Sequence, residues 1–447
     1  MALAAGLLAP WWLALNLLAW LLASLIVFVD LLDLGLRLVM RRRHAAWPPT
    51  RPSTSLPLDV GEFNPYQMAL HIRPYALLVS VHNAEDEIDD FLEAMAPLRE
   101  RLWVIDDASS DGTWFRLQRS GVRCFRAPSN RKKPGAIKEL LARLPEEIVS
   151  VIVLDPDVRF LGPGGSGIPE LERVVFQFQR SGKAAASPRV VVRPDGWIAR
   201  LQDFEYGLAC RIGRMSLADH GVTSGVALYR RDALQALLER HPLSVYAEDL
   251  RNALLLLGRG ERVYYDDRLV VQTEGKRTWS SWFSQRVGWS YGLLRVYLEN
   301  FGDVLRGARG GLLFQYQYLV YMGLFALILH PFRILSLLLL LLSTGNGLDQ
   351  LLGLNWIGDG PATDPAYFVL AYAKYTAFAL LASAALSPTL AEWWRHLPAV
   401  PIYFFYALAQ ILPASVGYSN WFSLRLWGSR VYRDHYADEE SLWRQRA

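Results

Sequence analysis

Hydrophobic positions in this chain follow two regimes: long unbroken runs near both ends, and short runs broken by polar positions between them. Trp11 to Val29 carries no charge over a length sufficient to cross the hydrocarbon core of a bilayer. Further apolar blocks cover Gly311–Thr344, interrupted by His330-Pro331-Phe332-Arg333, about Ala366–Leu386, and about Pro398–Val416. In the middle of the chain, Ala76–Val81, Leu102–Ile105, Val122–Phe125 and Ser150–Leu154 are β-rich apolar runs of strand length. Between them the spacing changes. Ile88, Phe91, Leu92 and Met95 recur at three and four residues, Trp114, Phe115 and Leu117 mark a second helix, and a third runs from about Gly135 to Leu144. Strands alternating with helices predict an α/β fold with a mostly parallel sheet covered on both faces. Gly221–Tyr229 and Glu261–Tyr265 are expected to add strands to it.

These patterns divide the chain into six parts. Residues 1–44 form a membrane anchor with an amphipathic tail, 45–74 a Pro-rich linker, and 75–276 the α/β domain. Residues 277–310 form interfacial amphipathic helices, 311–416 transmembrane helices, and 417–447 a basic amphipathic tail. Charge placement sets the expected orientation. The cluster Arg41-Arg42-Arg43-His44 follows the first run, which favours a retained anchor over a cleaved signal peptide and puts the next segment in the cytoplasm. The loop with Asp349, Asp359 and Asp364 holds no Lys or Arg and reads as extracytoplasmic, whereas the loop with Arg395 and His396 reads as cytoplasmic. A full last span conflicts with this scheme, because it would export Arg425, Arg430, Arg433, Arg444 and Arg446. Either the last block is re-entrant or interfacial, or the number of spans differs from this count.

Composition narrows the function classes. Hydrophobic residues make up 52% of the 447, in keeping with a part that lives in lipid, and the net charge of +4 excludes the basic footprint of a nucleic-acid binder. Cys124 and Cys210 fall in the expected cytoplasmic part, where they read as reduced, buried thiols.

The candidate chemistry lies at strand ends. Asp106-Asp107, followed by Ala-Ser-Ser-Asp-Gly-Thr, closes one strand, and Asp155-Pro156-Asp157 closes another. Carboxylates at the carboxyl ends of parallel strands sit where an open α/β sheet binds its ligand. Two aspartates two positions apart offer oxygen ligands for a hard cation such as Mg2+ or Mn2+, completed by substrate phosphates. Asp106 and Asp107 can accept hydrogen bonds from a base or ribose, or simply form a turn and helix cap. Arg131-Lys132-Lys133 precedes a helix start, where it can meet an anion or stay a solvated basic loop. Glu248-Asp249 opens the helical run Leu250–Leu257, as a helix-dipole partner or as a base for an attacking hydroxyl. Gln285-Arg286-Val287-Gly288-Trp289 sits among Trp279, Trp282, Phe283 and Tyr291, which fits both an interfacial helix and a sugar-stacking site.

In order and spacing these motifs resemble the membrane-integrated family 2 glycosyltransferases, which include cellulose, chitin, hyaluronan and poly-N-acetylglucosamine synthases. The resemblance covers roughly Ala76 to Tyr291 and implies a GT-A-like nucleotide-sugar-binding domain flanked by N-terminal and C-terminal transmembrane helices. It implies an inverting hexosyltransferase of a bacterial inner membrane, with a UDP-sugar donor in the cytoplasm and Mg2+ or Mn2+ at Asp155 and Asp157. By the same resemblance, Asn83, Glu85, Asp106, Asp107, Lys133, Asp155, Asp157 and Arg286 bind the donor. Asp249, with Glu248, is the catalytic base. Thr223, Ser224, Gly225, Gln285 and Trp289 line the acceptor site. Two departures stand out: Gly288 takes the place of the arginine in the family's Gln-x-x-Arg-Trp, and Ser80 that of a proline after the first strand. The missing arginine removes a charge that would help hold the diphosphate, unless Arg286 or a tail arginine substitutes.

The expected acceptor is a growing exopolysaccharide, extruded through the membrane helices or through a channel shared with an oligomeric partner or accessory subunit. A lipid, giving a glycolipid after one transfer, is the alternative. An inactive scaffold or sugar-nucleotide sensor is a further reading that Gly288 keeps open. A transporter would have to rely on His330, Arg333 and Lys374, which interface positions explain more simply.

Overall fold

The computed structural model describes residues 28–42, 71–162, 167–307, 309, 311–354, 365–387 and 389–434, with the helical positions Ala14, Leu17, Leu18, Leu21 and Leu25. Most of the expected anchor 11–29, the linker and the tail arginines Arg444 and Arg446 lie outside the described residues.

Eight strands form one sheet: β1 Tyr75–Val81, β2 Leu102–Asp106, β3 Arg123–Arg126, β4 Ser150–Leu154, β5 Arg159–Leu161, β6 Ala185–Val192, β7 Ala227–Arg230 and β8 Val263–Thr273. Their order is β3-β2-β1-β4-β7-β6-β8-β5. From β3 to β4 every pairing is parallel. β7 is antiparallel to both β4 and β6, β8 is parallel to β6, and β5 is antiparallel to β8. The expected parallel sheet is therefore present, extended by a mixed half. The chain runs outward from β1 through β2 to β3, then returns to place β4 on the other side of β1. That reversal opens a crevice beyond the carboxyl ends of β1, β2 and β4, where Asp106, Asp107, Asp155 and Asp157 begin their loops.

Strand alternation builds a core on each face. Leu77, Val79, Val104, Ile152 and Leu154 point to one side, against Ile88, Phe91, Leu117, Leu171 and Val174. Ala76, Leu78, Ile105, Val151 and Val153 point to the other, against Ile137, Leu140, Leu234, Leu237 and Leu254. The second cluster continues without a break into Val296, Tyr297, Val304, Phe314 and Tyr318, which belong to the helices after the sheet. β5 and β6 were not expected. β5 has only three residues, and in β6 the small and polar Ala-Ala-Ser-Pro-Arg stretch hides a strand that is nonetheless almost entirely buried.

Among the described residues, three helices are long and apolar enough to cross a membrane: Leu312–Leu352, Phe368–Leu386 and Leu390–Trp427. The helical stretch 28–42 is tied to two of them. Arg37 Nη2 donates to Gln317 Oε1 at 3.0 Å, and Arg41 Nη1 to the Ala385 carbonyl at 2.9 Å. The third helix touches the α/β domain at both ends. Near its start, Glu392 pairs with Arg211 at 2.9 Å and Arg395 with Asp203 at 2.8 Å. Just past its end, Arg430 Nη1 donates to Tyr246 Oη at 3.0 Å, and Tyr246 Oη donates to Asp434 Oδ1 at 2.8 Å. Between these points its Ile411–Trp427 part lies along the helix Trp279–Glu299. Gly417 allows this contact: a Cβ there would meet the Val287 carbonyl oxygen at 2.7 Å and the Tyr291 nitrogen at 2.8 Å.

Candidate active site

The loop after β1 and the loop after β2 brace one another. Asn83, in a left-handed conformation (φ 51°), accepts from the Ser110 N–H at 2.8 Å. Glu85 Oε2 accepts from the Gly112 N–H at 2.9 Å. Both residues thus shape the turn that follows Asp106-Asp107. Both aspartates are buried, with different partners. Asp106 has a fully buried carboxylate that accepts from the Ser109 N–H at 3.2 Å and pairs with Arg126 at 3.1 Å, so it holds the turn. Asp107 accepts from the Arg131 N–H at 2.7 Å, and burial pushes its carboxyl upward. That bond joins the acidic turn to the basic Arg131-Lys132-Lys133 segment.

Lys133 stands at the centre of the site. It lies in the first turn of the helix Lys132–Arg143, which starts earlier than the expected Gly135. Its Nζ is 2.5 Å from Asp155 Oδ1, 3.0 Å from the Gly225 carbonyl oxygen and 3.5 Å from Glu248 Oε1. Burial disfavours its charge, but Asp155 and Glu248 outweigh that and hold the ammonium above its usual value. A solvated basic loop is therefore excluded for Lys133.

Gly225 has no room for a side chain, since a Cβ there would meet Asp155 Oδ2 at 2.1 Å. Its neighbours point inward: Thr223 Oγ1 donates to the Asp249 carbonyl at 2.6 Å and Ser224 Oγ to the Val226 carbonyl at 2.6 Å. The two hydroxyls fasten the base loop and are buried. Glu248 and Asp249 open the helix Glu248–Leu257 after Ala247, itself left-handed at φ 47°. Burial, with the Asp249 and Asp155 charges, pushes Glu248 up to about 7. Asp249 is raised by burial as well, while its Oδ1 accepts from the Leu250 N–H at 2.8 Å. A carboxylate raised toward neutrality is a better base than a solvated one.

Asp157 accepts a hydrogen bond from Thr273 Oγ1 at 2.6 Å, across from β8. Burial and then the Asp155 and Glu87 charges push it up to about 6. Crowded carboxylates of this kind carry excess negative charge that a hard divalent cation relieves. Among the described residues no cluster of three or more His, Cys, Asp or Glu side chains forms a closed metal cage. Asp157 and Asp155 offer carboxylate oxygens that suit a hard cation completed by phosphate and water.

The Gln285–Trp289 motif sits on the helix Trp279–Glu299, beside this cluster. Arg286 is already occupied: Nη2 pairs with Glu205 Oε2 at 2.6 Å, and the guanidinium lies 4.1 Å from the centre of the Trp289 ring. Its Nη1 donates to Gln285 Oε1 at 3.4 Å. Arg286 thus orients the motif while engaged with Glu205. Trp289 also faces Tyr206, with ring centres 6.3 Å apart. Glu205, Tyr206, Thr273 and Tyr246 carry no local motif, and only the fold brings them here.

Residues 76–238 match the sequence family described as glycosyl transferase family 2. The chain carries a family 2 glycosyltransferase domain. Relatives of this glycosyltransferase include an N-acetylglucosaminyltransferase of Mesorhizobium japonicum, 28% identical over 185 residues, which are 38% of this chain and 41% of the relative. Another, from Rhizobium leguminosarum bv. viciae, is 26% identical over 215 residues, 44% of this chain and 48% of the relative. The chain spans less than half the length of either curated relative. In fold it is similar to a mannosyltransferase from Pyrobaculum calidifontis, solved with GDP-Man and Mn2+, with a TM-score of 0.52 at 16% identity, over 93% of this chain and 100% of that one.

Proposed function

We propose that this glycosyltransferase is an inverting, metal-assisted N-acetylglucosaminyltransferase that moves the sugar of UDP-N-acetylglucosamine onto a growing saccharide at a bacterial inner membrane. The observation that carries the reading is the convergence of Lys133, Asp155, Asp157, Glu248 and Asp249 at the sheet's switch point. The names of the curated relatives support the donor. In the reaction, Asp249 takes the proton of an acceptor hydroxyl, whose oxygen attacks the anomeric carbon from the face opposite the diphosphate. The new C–O bond forms as the bond to UDP breaks, the electron pair leaves with UDP, and the configuration inverts. When bound at Asp157 and Asp155, a divalent cation supplies neutralising charge at the diphosphate. Lys133 holds Asp155 in place, and Asp107 is available to the uridine.

For the acceptor, a cavity of about 560 Å³ runs between the α/β domain and the membrane-side helices, lined by Glu205, Gln317, Tyr321, Tyr375 and Tyr403 among others. A mixed lining of carboxylate, amide and aromatic groups suits the hydroxyls and flat faces of a saccharide. The deciding experiment incubates the purified protein in lipid nanodiscs with Mn2+ or Mg2+ and each common UDP-sugar, recording UDP release and product mass. A ladder of N-acetylglucosamine oligomers is expected. One sugar added to lipid would replace the polymer by a glycolipid, and release of UDP only from a different sugar nucleotide would overturn the donor.

A further inference from the structure

The site described so far holds Lys133 against the carboxylates Asp155, Asp157, Glu248 and Asp249. The neighbouring arginines are engaged elsewhere. Arg286 pairs with Glu205, and Arg211 with Asp267 at 3.0 Å and Glu392 at 2.9 Å.

Arg214 differs from both. It begins the short turn Arg214–Leu217 and is half-buried. Among the described residues its guanidinium meets neutral partners only, donating from Nη1 to Ser187 Oγ at 3.3 Å and lying 3.9 Å from Cys210 Sγ. Ser187 Oγ is in turn 3.0 Å from Ser224 Oγ, in the segment whose next residue, Gly225, abuts Asp155. Arg214 also lines the large cavity beside Glu205, Leu217 and Val222. It therefore stands where the catalytic cleft meets the proposed acceptor cavity. Its charge lowers the carboxyl of Asp249 and the hydroxyl of Tyr206, a phenol that also senses Asp157, which puts Arg214 within electrostatic reach of both ends of the reaction centre. A partly desolvated guanidinium without a carboxylate partner is costly until an anion meets it.

We propose that Arg214 binds the leaving diphosphate of the nucleotide-sugar donor. The inference rests on the reading of this site as a UDP-sugar transferase. A planar fork of N–H donors matches phosphate oxygens two at a time, which an ammonium such as Lys133 cannot do. Charge grows on the diphosphate as the glycosidic bond breaks, so this contact strengthens toward the transition state and is kept by the UDP product. A lipid phosphate entering from the cavity offers the same chemistry, and the test separates the two sources.

UDP binding in the presence of Mn2+ is measured by titration calorimetry on the full chain in nanodiscs, for the wild type, Arg214→Gln and Arg214→Lys. Losing a charge-assisted hydrogen bond predicts a UDP affinity roughly ten- to a hundredfold weaker in Arg214→Gln. Arg214→Lys, which keeps the charge and loses the fork, falls between the two and guards against a misfolded glutamine variant. The same variants are assayed for product inhibition by UDP, which weakens in parallel. UDP affinity within twofold of wild type in both variants overturns the inference. Retained UDP affinity with a raised KM for a lipid-phosphate acceptor also overturns it, by moving the cation to the acceptor. A wild-type protein that binds no UDP would fell the underlying reading instead, which the wild-type titration alone reveals.

Discussion

At Asp157, burial and the neighbouring charges of Asp155 and Glu87 raise the carboxyl from 3.8 to about 6. A carboxyl raised in the folded state contributes stability below pH 4 that is lost as pH rises through about 6. Asp157→Asn therefore stabilises metal-free protein at pH 7.5, by about 1–2 kcal/mol after allowing for partial exposure and with a higher melting temperature, and leaves stability unchanged near pH 4. The same variant loses the stabilisation that Mn2+ gives the wild type. A thermal scan with and without the ion at both pH values checks both statements. Asp249→Asn removes the proton acceptor and keeps the shape, so kcat falls by roughly 10²–10⁴ while UDP affinity stays within a few-fold. Gly225→Ala acts on geometry alone. Its methyl occupies the place of Asp155 Oδ2, so UDP affinity in Mn2+ falls although no charge has changed. Of these residues, Asp157, Asp155 and Asp249 were legible from strand-end and helix-start patterns, because local chemistry marks such positions. Arg214, Glu205 and Tyr206 were not, because nothing within a few residues of them signals a partner far away in the chain.

Among the elements, the helix Glu248–Leu257 depends on an element nearly two hundred residues later. Its entry, Tyr246-Ala247, is held by Asp434 and by Arg430, whose guanidinium lies 5.3 Å from the Tyr246 ring centre and 4.7 Å from that of Tyr291. The left-handed Ala247 costs of order 1 kcal/mol, a strain that persists where surrounding contacts over-determine it. Arg430→Ala loosens this clamp. The expected result is a several-fold lower kcat with UDP affinity unchanged, since Asp107, Lys133 and Asp155 lie outside the clamp. Steady-state kinetics beside UDP titration tests it, and an equal fall in both would mean that the clamp supports the whole cleft. The helix period announced this helix and the strand runs announced β1, β2 and β4. β6 escaped notice because its small and polar residues are buried by its neighbours rather than by their own hydrophobicity.

For the whole molecule, the helix Leu390–Trp427 decides the topology. Length and hydropathy make it a candidate span. Its contacts at Asp203 and Arg211 near one end, and at Tyr246 just past the other, tie both ends to the α/β domain. Its flanks also divide: Tyr403 and Tyr406 pack with Phe204 and Trp282, while Phe404 packs with Leu339, Leu340 and Ala371 of the membrane-side helices. We read this helix as lying at the membrane surface between the two parts, which returns Arg425, Arg430 and Arg433 to the side of the catalytic domain. A cysteine placed at Ser429 in a cysteine-free background is expected to react with an impermeant maleimide from the catalytic side only. One placed at Asp359 is expected to react from the opposite side. Labelling of both from the same side would reject the hairpin formed by Leu312–Leu352 and Phe368–Leu386.

By itself the sequence determined the local chemistry: which runs become strands, where carboxylates end them, and which helices are apolar enough for lipid. Each is set by residues within one or two turns of each other, where spacing and side-chain type suffice. Only the tertiary structure decided the rest. It buried both Asp106 and Asp107, tying one to Arg126 and the other to the Arg131 N–H, spent Arg286 on Glu205, turned Thr223 and Ser224 inward, and laid an apolar helix against the domain. Those outcomes depend on which distant groups meet and how much water they lose, and neither spacing nor composition records that.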